Sequence, residues 1–129
     1  MKKEAPSMDV WLREAKASAK ADRCGMFLFH NGTVRASSKA EARNGVKTKP
    51  VTGMVFSYDE AKTDKAVEKA LSLPGIYYVR AWLNSGELAV GDDIMLVLIG
   101  GDIRTHVVDA LNILVGELKD NCVIEKEKY

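Results

Sequence analysis

Most of the signals that announce a reaction are missing from this chain. Long apolar runs are absent: none approaches the ~18 residues of a membrane span, and MKKEAPSMDV has no apolar core behind its lysines. A signal peptide is therefore not indicated, and a cytoplasmic, non-membrane protein is expected. Cysteine is scarce. Cys24 and Cys122 sit in apolar segments without CxxC spacing or a nearby histidine pair, so reduced, buried thiols are expected, not a disulfide framework or a zinc site. The only two histidines, His30 and His106, are far apart, which argues for packing or surface roles and against a metal. Dinucleotide and phosphate-loop glycine motifs, HExxH and the nucleophile elbow are all lacking. Net charge is also small: 19 basic against 18 acidic residues leave +1, too little for bulk attraction to nucleic acid or a membrane. Any charged ligand must meet a local cluster.

What is present is an ordinary globular composition. With 129 residues, 47% apolar and 29% charged, one domain spanning 1–129 is expected, burying about two-thirds of its unfolded surface. SMDVWLREAKASAKAD reads as a helix capped by Ser7, with Met8, Trp11, Leu12, Ala15 and Ala19 at helical spacing, lying on a sheet. Cys24 to His30 reads as a buried strand ended by Asn31-Gly32. Thr33 to Pro50 has no period and carries Arg35, Lys39, Arg43, Lys47 and Lys49 against Glu41 alone, the pattern of a mobile basic loop. Val51 to Tyr58 is a strand, and Asp59 to Leu71 a helix stopped by Leu73-Pro74-Gly75. Ile76 to Leu83 is a strand, SGELAVGDD is turn-rich, and IMLVLIGG is a continuous buried-strand run. A helix from Ile103 to about Lys119 and a short strand from Cys122 to about Lys126 close the chain. This order predicts an α+β fold, with three helices on a mixed sheet.

The chemistry-bearing residues are cations at the ends of elements: Arg35, Arg104, Lys119, Lys126 and Lys128. Arg104 lies in a first helical turn, where free backbone N–H groups favour a phosphate or carboxylate. Lys119 and Lys126 flank Asp120-Asn121, so a strand folding back beside the helix would bring both amines to one pocket. The plain alternative is a set of surface lysines, since helix C-termini attract cations through the dipole alone. The basic loop also permits a nucleic-acid reading, but it has no aromatic residue for base stacking.

From about Met8 to Lys128 the chain resembles the large, catalytic subunit of molybdopterin synthase. CGMFLFHNGTVR resembles that family's Gly-led strand ending in Gly-x-Val-Arg. SGELAVGDDIMLVLIGG resembles its Gly-Glu-Leu-x-x-Gly-Asp hairpin and buried strand. IRTHVVDALNILVGELKDNCVIEKEK resembles its last helix and strand, with both lysines. The resemblance implies an α/β-hammerhead fold and sulfur transfer to cyclic pyranopterin monophosphate, giving molybdopterin. The sulfur comes from the C-terminal thiocarboxylate of a small ubiquitin-like subunit. It implies Lys119 and Lys126 as catalytic residues, and Arg35, Thr33, Arg104, Ile103 and Lys128 as contacts to the pterin phosphate. It further implies a homodimer within a heterotetramer, and neither metal nor cofactor. Departures accompany it: Ile103 where a histidine is usual, Leu83-Asn84 for His-Arg, Glu125 for an aromatic, and an end at Tyr129 where relatives continue. They imply an altered pocket, and leave a non-catalytic, partner-binding module as the alternative.

Overall fold

The computed structural model describes all residues 1–129. Helix α1 (Met8–Lys16) begins where Ser7, in extended conformation, accepts the Val10 N–H on its hydroxyl at 3.3 Å. Trp11 and Ala15 are its buried face. The helix stops earlier than the expected run to Asp22, because Ala17 and Ala19 are exposed and bury nothing; a 3₁₀ turn, Ala21–Arg23, leads onward.

Strand β1 (Met26–Thr33) starts two residues later than expected and runs through Asn31-Gly32, which pair across to Leu96 and Met95 and so continue the ladder. The basic segment is not a featureless loop. It contains helix α2 (Lys39–Asn44), for which Ser38 Oγ accepts the Glu41 N–H at 3.1 Å and Gly45, at φ 69°, forms the left-handed cap. Strand β2 (Gly53–Tyr58) follows, then α3 (Glu60–Leu71), capped by Asp59 on the Lys62 N–H at 2.9 Å. Its buried face is Thr63, Ala66 and Ala70; Ala61 and Leu71 point to solvent. Strand β3 (Ile76–Leu83) is followed by β4 (Gly86–Ala89), which forms inside the turn-rich stretch. Strand β5 (Asp93–Gly101), α4 (Arg104–Glu117), a π-type turn (Leu118–Cys122) and β6 (Val123–Lys128) complete the chain.

The α+β class holds, with four α-helices and two antiparallel sheets, ordered β1-β5-β3 and β4-β2-β6. The expected single mixed sheet divides because β2 pairs with β4 on one side and β6 on the other, and none of the three pairs with β5. Strand β5 explains its own sequence. Leu96 and Leu98 meet Trp11 and Ala15 of α1, while Met95, Val97 and Ile99 meet Ala66, Ala70, Val107, Ala110 and Leu114 of α3 and α4. Both faces are buried, so both must be apolar. Behind β5 the α3–β3 turn is held tightly: Gly75 has φ 75°, and a Cβ there would lie 2.3 Å from both Asp102 Oδ1 and His106 Nδ1. No helix is long and apolar enough to cross a membrane.

Candidate active site

The end of β1, the start of β5, β6 and the turn after α4 enclose a cleft of about 240 Å³. Each contributor is fixed by its neighbours. On β1, His30 and Gly32 share one face by the two-residue alternation of a strand, and Thr33 and Arg35 lie beyond them at the rim. The β1–β5 register slips between Gly32 and Thr33, whose partners are Met95 and Asp93. The extra residue is Ile94, so consecutive Ile94 and Met95 both border the cleft. At the far side Leu118 is wholly buried and Cys122 nearly so, which pins the π-type turn at both ends and presents exposed Lys119 to the cleft. Met54 of β2 gives a buried apolar floor.

Strand β6 supplies the unexpected part. Glu125 and Glu127 stand opposite Phe56 and Met54 and face inward. Helix α2 docks on them: Lys39 donates its backbone N–H to Glu127 Oε2 at 3.0 Å and its Nζ to Glu125 Oε1 at 3.3 Å. Ser38 lies almost fully buried beneath, its hydroxyl 2.6 Å from that of Thr48. The Lys39 charge is therefore paired with Glu125 in this structure. Arg35 and Lys119 are in none of the chain's ion pairs, so their charges remain available to a ligand. Nε2 of His30 is buried without a hydrogen-bond partner. Burial lowers the His30 pKa from its ordinary value, and the nearby Lys119 charge lowers it further, so the ring is neutral at pH 7. Two unpaired cations, a neutral imidazole and two carboxylates on an apolar floor make a site for a small polar ligand that carries an anion.

Of the residues expected from sequence, Thr33, Arg35 and Lys119 come together here. Lys126 does not. It is exposed and stands opposite Val55, on the outer face of its sheet, because alternation along β6 turns Glu125 and Glu127 inward and so turns Lys126 outward. Lys128 shares that outer face and binds Glu87. Ile103 and Arg104 lie at the N-terminus of α4, a helix of fourteen residues. One helix length, about 20 Å, thus separates them from Lys119. Asp102 serves that helix end instead, accepting the Ile103 N–H at 2.6 Å and pairing with His106 Nδ1 at 2.7 Å. The expected effect of Asn84 on the pocket is replaced by a structural role: it is 2% exposed, and its amide ties the N-terminal segment to the β3–β4 connection and β5. His30, Lys39 and Glu127 were not expected in the site, whereas Glu125, expected to alter the pocket in place of an aromatic, does line it. Period-two alternation along the last strand was the available signal for the two glutamates.

A protein-family model described as MoaE protein matches residues 6–121. The chain belongs to the MoaE family. Solved structures of similar fold agree. A molybdopterin synthase from Staphylococcus aureus has a TM-score of 0.74 at 16% identity, over 98% of this chain and 87% of that one. A molybdopterin biosynthesis MoaE protein from Burkholderia ambifaria gives 0.69 at 20% identity, over 98% and 79%. A protein–protein complex of subunits 1 and 2 of the molybdopterin-converting factor from Helicobacter pylori gives 0.65 at 20% identity, over 95% and 79%. No curated protein matches the chain. At these identities the structures establish the MoaE fold, while the family model establishes membership.

Proposed function

We propose that this chain acts in molybdenum cofactor biosynthesis as the large subunit of a molybdopterin synthase. It would receive sulfur from the C-terminal thiocarboxylate of a small ubiquitin-like subunit and direct it onto cyclic pyranopterin monophosphate. The observation that carries this is the pair of uncommitted cations, Arg35 and Lys119, facing one cleft beside a neutral His30. Thiocarboxylate and phosphate are both anions, and negative charge builds as sulfur adds to the pterin. Cations at the cleft stabilise both the bound state and that charge. In this account Lys119 is the catalytic amine next to the thiocarboxylate carbon, with Arg35 and Thr33 on the phosphate.

Ile103 and Arg104 fit the same account only across a subunit boundary, since one helix length separates them from Lys119 on one chain. A homodimer within a heterotetramer is proposed accordingly. A second reading, a partner-binding module without chemistry, is favoured by the two carboxylates in the cleft and by isoleucine at the usual histidine position. The test is anaerobic conversion of cyclic pyranopterin monophosphate by this chain and its organism's thiocarboxylated small subunit, with an authentic synthase alongside. Dithiolene product supports the synthase; a verified subunit complex that forms none supports the module.

A further inference from the structure

The carboxylates pose a question that an anion-binding cleft does not answer. A cleft for phosphate and thiocarboxylate gains nothing from Glu125, which repels both. The Glu125 side chain is only 11% exposed, so its charge is also costly to keep out of water unless donors meet it. One donor is present, Lys39 Nζ at 3.3 Å. That is long beside the ~2.7–2.9 Å of a charge-assisted bond. Lys39 reaches it from the short helix α2, with its own side chain 40% exposed. At that length the pairing leaves room for a closer donor to replace it. Across the cleft, the buried Nε2 of His30 also lacks a partner.

These unfilled bonding positions describe the ligand. It carries an anionic group for Arg35 and Lys119, a flat apolar face for Met54, Met95 and Ile94, and an edge of adjacent N–H donors for Glu125. A 2-amino-4-oxopyrimidine ring has that edge: its exocyclic amine and ring N–H are parallel donors that match the two oxygens of a carboxylate. We infer that Glu125 is a specificity-determining residue, which takes over from Lys39 the role of acceptor for the amino-pyrimidinone edge of a pterin bound in the cleft. This rests on the pterin assignment proposed above and deepens it. Lys39 then has its amine released toward the anionic end of the ligand.

The test compares two ligands on two proteins. Cyclic pyranopterin monophosphate and its analogue with oxygen in place of the 2-amino group are titrated anaerobically into the wild-type chain and Glu125→Gln. The wild type is expected to prefer the amino ligand by roughly tenfold to a hundredfold, the scale of hydrogen bonds to a charged group. Glu125→Gln is expected to bring that preference to within a few-fold. An unchanged preference in Glu125→Gln overturns the assignment. So does an equal weakening of both ligands, since Glu125 would then act only by holding α2 in place. Wild-type protein that binds neither ligand overturns the pterin assignment itself, and this inference with it.

Discussion

Replacing Asn84 by alanine tests whether a departure from the family pattern is structural. Asn84 Oδ1 accepts the backbone N–H groups of Lys3 at 2.7 Å and Ser85 at 2.8 Å, and its Nδ2 donates to the Asp93 carbonyl at 2.9 Å. A typical intramolecular hydrogen bond is worth about 1 kcal/mol net, and a buried partner left unpaired adds to the loss. Three bonds at a site only 2% exposed give an expected loss of about 3 kcal/mol. For a chain of this length that lowers the melting temperature by roughly 10–15 °C. Urea unfolding and thermal melts followed by circular dichroism measure both quantities, with an unchanged urea dependence as the check on two-state behaviour. Lys119 and the cleft residues are untouched, so pterin affinity of the folded variant at low temperature is expected to match the wild type. A loss below about 1 kcal/mol, or weakened pterin binding without loss of stability, would refute this reasoning.

Three further outcomes follow from the same geometry. The unfolded chain protonates His30 near its ordinary pKa of 6.5, while the folded chain resists protonation through burial and Lys119. The folded state therefore loses stability as pH falls below 6.5, and the difference between wild type and His30→Gln should change across that range and be flat above it; parallel curves below pH 6.5 in urea unfolding would count against it. Gly75→Ala forces a side chain into a left-handed position and against the Asp102–His106 pair, so a loss of at least ~2 kcal/mol is expected in the same assay. Leu118→Ala empties a fully buried position at the base of the Lys119 turn. It should cost about 2–5 kcal/mol, and a near-neutral result would mean the turn is not anchored there.

The parts of this fold that could be read from sequence are those where one residue pattern has one structural outcome. The run IMLVLIGG is apolar at every position because β5 is covered on both faces, and the α1 and α3 starts follow from Ser7 and Asp59 as caps. Helix α2 was legible too, in the capping-box spacing of Ser38 and Glu41 and in Gly45, but cations dominate that stretch and obscure it. Strand β4 was hidden because Gly-Glu-Leu-Ala has turn composition and is strand only through its pairing with β2. In the site, Arg35 and Lys119 were reached through the ends of elements. Lys126 was misplaced because sequence proximity to a turn does not fix which face of a strand a side chain takes. That face is set by long-range pairing, Phe56 with Glu125 and Val55 with Lys126.

Whether chemistry occurs in the cleft holding Lys119 is measured most directly by dithiolene formation by Lys119→Ala and Lys126→Ala in the reconstituted system. Removing a preorganised charge from the reacting centre costs about a hundredfold to a thousandfold in rate. Lys126 faces away from the cleft on the outer side of its sheet. At ~10 Å through largely aqueous surroundings its charge is worth about 0.4 kcal/mol before salt screening, or roughly a twofold effect. Near-complete loss is expected for Lys119→Ala and a change of no more than a few-fold for Lys126→Ala. Equal losses from both, or full activity without Lys119, would contradict that expectation.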